Sequence, residues 1–71
     1  MIGYAVIIEG EGNSFSGYAP DLPGCVAAGS SAKEVEQLMG KAIRLHIESL
    51  RAHGEPVPEP SAVAATVVQV A

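Results

Sequence analysis

Apolar residues alternate with small or polar ones from Ile2 to Glu9, the period of a half-buried strand. Ile2, Tyr4, Val6 and Ile8 share one face; Gly3, Ala5, Ile7 and Glu9 share the other. The first set is large, branched or aromatic and is expected to face a core. The second is mostly small and suits a thinly covered sheet face. Gly10 to Asn13 reads G-E-G-N, a turn signal. Ser14 to Ala19 is expected to return antiparallel, with Phe15, Gly17 and Ala19 alternating against Ser14, Ser16 and Tyr18. Alternation alone leaves open which of these faces is inside. Phe15 is the stronger apolar anchor, and Tyr18 suits a solvent edge where its hydroxyl stays wet. Gly17 suits a bulge or a close approach of backbone.

Ala19 to Cys25, A-P-D-L-P-G-C, is the most heavily punctuated window of the chain. Pro20 fixes its own φ and biases Ala19 away from the helical region. Pro23-Gly24 fits the central positions of a type II turn from Leu22 to Cys25, since glycine accepts positive φ without penalty. The Asp21 carboxylate is expected to fold back onto nearby backbone N–H groups. The segment reads as a rigid bend between two strands, the second being Cys25 to Ala28.

Ser31 with Glu34 three residues later has capping-box spacing, and Ser30 is an alternative cap. The period then changes to that of a helix, from about Ala32 to about Ala52. Gln37, Lys41, Arg44, Glu48 and Arg51 form a polar wedge. Val35, Leu38, Met39, Ala42, Ile43, Leu45, Ile47 and Leu50 fill an apolar arc of roughly 200°, wider than one packed face requires. A sheet covers part of it; the remainder, with Ile43 and Ile47 on one flank and Leu45 on the other, needs loops, the tail or another chain. Gly40 lies on the polar side, where it weakens the helix by about 1 kcal/mol relative to alanine and permits close packing. Gly54 is placed to end the helix.

Alternating prolines from Pro56 to Pro60 favour a stiff, extended connector. Ala62 to Ala71 is apolar on both faces and reads as a last strand, or as one added to a neighbouring molecule's sheet. The expected fold is α+β, in the order β-β-β-α-β. It has a mainly antiparallel sheet of strand order 3-2-1-4 and one long helix on one face. The opposite sheet face has no cover of its own, so a homodimer or larger assembly is expected, with Ile43, Ile47, Val68 and Val70 as oligomer contacts.

Seventy-one residues make a single domain, residues 1–71, near the lower limit for folding unaided. An apolar fraction of 48% argues against disorder. Cys25 is the only cysteine, which rules out an intrachain disulfide and a cysteine-rich zinc site, and makes the cytoplasm the expected compartment. No basic region precedes the first apolar run, and no apolar stretch approaches a membrane span, so neither a signal peptide nor membrane insertion is expected. The formal charge of −4 has the wrong sign for direct nucleic-acid binding and suits solubility or a basic protein partner.

Little in the chain carries chemistry. His46 lies at the centre of the helix's apolar arc and reads as a structural histidine more readily than as a base. His53 reads as a helix-end residue meeting the dipole. Cys25 has no histidine, basic residue or helix start beside it to activate a thiolate. A hydrolase or nuclease built on Asp21 and His46 is the weakest reading, and no catalytic residue, cofactor or metal is assigned.

Four stretches taken together resemble a known family. They are Tyr4-Ala5-Val6-Ile7-Ile8-Glu9, then Gly17-Tyr18 followed by Pro20-Asp21-Leu22-Pro23-Gly24-Cys25-Val26, then Gly29 with Ser31, Glu34 and Ala42, and lastly Gly54 to Pro60. The chain is similar to the small N-terminal domain of the HicB antitoxins. That resemblance implies a partial RNase-H-like fold and no enzymatic activity. It also implies binding to a small basic ribonuclease toxin, called HicA, whose active site the antitoxin covers. Glu9, Glu11, Asp21, Leu22 and Pro23 are the expected partner contacts. Ser31 and Val35 stand where the family commonly has threonine and alanine; the first keeps the cap, and the second crowds the contact between helix and sheet. Many members continue into a DNA-binding domain beyond the point where this sequence ends, so the resemblance carries no expectation of DNA binding here.

Overall fold

The computed structural model describes residues 3–61. Three strands and one helix follow in order: β1 Ile7–Glu11, β2 Ser14–Tyr18, β3 Val26–Gly29 and α1 Ala32–Ala52. The strands form one antiparallel sheet in the order β1-β2-β3, with α1 packed across all three. This is an α+β fold. The expected fourth strand, with Val68 and Val70, lies outside the described residues.

The first hairpin is tighter than expected. β1 continues through Gly10 and Glu11, and only Gly12-Asn13 turns. Gly12 has φ 62° while Asn13 does not have positive φ, the pattern of a type II′ hairpin. The other end of β1 is also corrected, for it begins at Ile7 and not at Ile2. The ladder stops at the Ile7–Tyr18 pair because Ala19 N–H turns away and donates to the Cys25 carbonyl at 3.2 Å. Val6 is thereby denied a ladder partner.

The bend is built as its sequence suggests. Cys25 N–H donates to the Leu22 carbonyl at 3.0 Å across Pro23-Gly24, with Gly24 at φ 85°, as a type II turn requires. A second turn is closed by Leu22 N–H to the Ala19 carbonyl at 3.0 Å. Two turns in succession roll Leu22 inward.

The helix has the expected limits because both ends are capped. Ser31 holds an extended backbone and its Oγ accepts from Glu34 N–H at 3.1 Å. The Glu34 carboxylate accepts from Ser30 N–H at 2.9 Å, one residue before the position that a capping box would use. At the far end Glu55 N–H reaches the Leu50 carbonyl at 2.9 Å and Gly54 N–H the Arg51 carbonyl at 3.1 Å, the paired bonds of a Schellman motif.

The core is small. Ala19, Leu22, Cys25, Val35 and Met39 are buried, with Tyr4, Val6, Ile8, Phe15, Ala27, Ala42 and Ile43 packed around them. Phe15, Gly17 and Ala19 therefore face the helix, which resolves the ambiguity of β2. Gly17 sets the spacing between the layers. A Cβ built there would lie 2.8 Å from Val35 Cγ1 and 3.4 Å from Met39 Cγ. The helix comes as close as it does because β2 has no side chain at this point.

Candidate docking surface

The sheet face away from α1 follows from the register. Ile7 pairs with Tyr18, and Tyr18 with Val26. Side chains of directly opposed residues lie on the same face, so these three make one apolar row across all three strands. Tyr18 is 43% and Val26 64% exposed, while Ile7 is half-buried. The next row is Glu9, Ser16 and Ala28, and the last pairs Glu11 with Ser14. The face thus grades from apolar beside the bend to acidic beside the hairpin, over about 13 Å of strand. No described element covers it, since α1 lies on the other side.

The five expected partner contacts divide among different places. Glu9 and Glu11 are exposed on the open face. Pro23 is exposed on the bend, which leaves the sheet directly from the Tyr18–Val26 pair. Leu22 needs correcting as a surface contact. It is 0% exposed, because the two turns drive it into the core beneath the helix. Asp21 is half-buried, and its carboxylate accepts from Ser61 N–H at 3.0 Å and from Ser61 Oγ. That partner lies forty residues on, at the end of the proline connector, and is not the local backbone.

Tyr4 makes a second tie to the same connector, its hydroxyl donating to the Pro58 carbonyl at 2.5 Å. The bend, the start of the chain and the connector are thereby fastened together. The Asp21 carboxylate that a hydrolase would use is engaged by Ser61. His53 does not serve chemistry either: its ring Nδ1 donates to the Ser49 carbonyl at 2.7 Å and closes the helix end. Among the described residues no group of three His, Cys, Asp or Glu side chains is placed to hold a metal ion. Burial pushes the Cys25 thiol above its ordinary pKa, the opposite of what a nucleophile requires. No described helix is long and apolar enough to cross a membrane. What the geometry offers is a recognition surface, apolar at one end and acidic at the other.

Comparison with known proteins assigns the chain to a family. Residues 4–71 match the family described as the HicB_like antitoxin of bacterial toxin-antitoxin systems. The chain belongs to the HicB-like antitoxins. Membership places it among antitoxins, a class that acts by binding and not by catalysis. The chain is 40% identical over 65 residues to UPF0150 protein Ta0767 of Thermoplasma acidophilum, covering 90% of this chain and 94% of that protein. It is 39% identical over 57 residues to UPF0150 protein ssr1765 of Synechocystis, covering 79% of this chain and 72% of that one. No solved structure gives a significant match.

Tyr18 and Val26 were absent from the expected contacts. Their signal was present only as a pair: Tyr18 alternates with Phe15, and Val26 becomes its neighbour once the length of the bend fixes the register.

Proposed function

We propose that this antitoxin neutralises a small basic ribonuclease of the HicA type by docking it on the open sheet face. The single observation that carries the reading is the Ile7–Tyr18–Val26 row lying beside Glu9 and Glu11 on one surface that no described element covers. An apolar row supplies the desolvated centre of an interface, and flanking carboxylates steer a cationic partner and oppose its RNA-binding charges. Pro23 extends the surface at the rim. Asp21 acts from behind by holding the connector, and Leu22 by anchoring the bend. On this reading the chain works in the cytoplasm, where its target acts, and needs no cofactor. On the same reading the fold is of the partial RNase-H-like kind.

The test is reconstitution with a small basic ribonuclease of the HicA type from the same cells. A stable complex with loss of RNA cleavage is expected. Cleavage that continues at full rate in the presence of excess antitoxin would overturn the proposal.

A further inference from the structure

All four Lys and Arg residues of the chain, Lys33, Lys41, Arg44 and Arg51, lie on α1. At about 100° per residue they fall within roughly 80° of one another on the helix face turned away from the sheet. Gly40 lies at the edge of this stripe, in the middle of an open groove lined by Lys33, Glu36, Gln37, Lys41 and Arg44. Glycine inside a helix is unfavourable, and here nothing among the described residues requires it: a Cβ built on Gly40 meets none of their atoms within 4 Å. Gly17 is explained by the helix above it. Gly40 has no such neighbour among the described residues.

The charges around Gly40 are self-complementary. Glu36 lies four residues before it and Arg44 four after, at about 40° to either side of it around the helix. They are about 12 Å apart along the axis, too far to pair within one helix. A two-fold antiparallel arrangement changes that, because residues equally far before and after the crossing point face each other. Glu36 then meets Arg44 of the second copy, and this happens twice. Lys33, seven before, lays its aliphatic stem over Ile47, seven after. Ile43 and Ile47, both half-buried in the single chain, line one side of the contact.

We propose that Gly40 is the crossing point of an antiparallel pair of α1 helices from two copies of this chain. The missing side chain lets the two backbones approach, Arg44–Glu36 pairs fix the register, and both open sheet faces point outward. The inference is independent of toxin binding and stands or falls without it.

Sedimentation of the full chain across the micromolar to millimolar range tests it. A dimer weakened by salt is expected, since its register is held by exposed ion pairs. Gly40→Gln folds at least as well as wild type but raises the dimer Kd about tenfold or more. Glu36→Arg and Arg44→Glu each weaken the homodimer, by like-charge contact. Mixed together, the two variants form a heterodimer within about threefold of wild-type affinity, because every pair is again opposite in sign. A chain that remains monomeric overturns the proposal. So does a dimer that survives Gly40→Gln, which would place the contact on another face, or a mixture of the two charge variants that gives no heterodimer.

Discussion

Replacing Gly17 by alanine tests how the two layers are spaced. The new Cβ would sit 2.8 Å from Val35 Cγ1 and 3.3 Å from the Ile7 carbonyl oxygen. The helix must lift by a few tenths of an ångström, or Val35 must leave its rotamer. Overpacking of this kind costs about 1–3 kcal/mol, against about 0.5–1 kcal/mol that alanine gains over glycine in a strand interior. Gly17→Ala is therefore expected to destabilise by about 1–2 kcal/mol. Val35 is 0% exposed, so Val35→Ala loses two buried carbons and leaves a small void, at about 2 kcal/mol. In the double variant the methyl introduced by Gly17→Ala enters the space that Val35 vacates. Its cost is expected to match Val35→Ala alone, a coupling of about 1–2 kcal/mol in a double-mutant cycle. Urea unfolding followed by far-ultraviolet circular dichroism measures all four proteins at one chain concentration. Additivity within about 0.5 kcal/mol would refute the claim that Gly17 and Val35 share one contact.

Three other outcomes are expected. Asp21→Ala removes the acceptor of both Ser61 bonds and should cost about 1 kcal/mol, whereas Ser61→Ala should cost less, because alanine keeps the backbone N–H that donates to the carboxylate; adding Ser61→Ala to Asp21→Ala should change little, and exchange of the residue 61 amide should rise more in Asp21→Ala than in Ser61→Ala. Tyr4→Phe removes the bond to the Pro58 carbonyl, and a loss of about 0.5–1.5 kcal/mol in urea unfolding is expected. The Cys25 thiol, held neutral by burial, should react with a thiol reagent far more slowly in the folded chain than in guanidinium. Its raised pKa also fixes the sign of a pH dependence. Below about pH 8.5 the thiol is neutral in both states and has no effect; above it the unfolded chain ionises first, so stability falls as pH rises toward the folded value. Cys25→Ala should remove that slope.

The parts that were legible in the sequence are those whose causes are local. Ser31 and Gly54 mark the ends of α1 because caps are short-range devices, and the limits of the helix follow from them. Pro23-Gly24 specifies its turn for the same reason. The start of β1 was hidden, since it depends on Ala19 N–H being claimed by Cys25 on the far side of the bend. Leu22 was hidden too: alternation assigns faces along a strand but not through two successive turns. The contact of Asp21 with Ser61 is set by where the connector passes, which no local pattern shows. The open face needed the register, which is why Tyr18 and Val26 emerge as a surface only when the strands are paired.

The central claim is that the open sheet face is where this antitoxin holds its toxin. The direct measurement is calorimetric titration of a small basic ribonuclease of the HicA type with wild type, Tyr18→Thr and Val26→Thr. Both replacements keep a strand-forming residue at an exposed site, so the fold is retained. The account predicts tight binding by wild type and a loss of about 2 kcal/mol, roughly thirtyfold in Kd, for each variant. Glu9→Lys should mainly slow association and reduce its dependence on salt. Wild-type affinity in both threonine variants would contradict the account and place the toxin on a different surface.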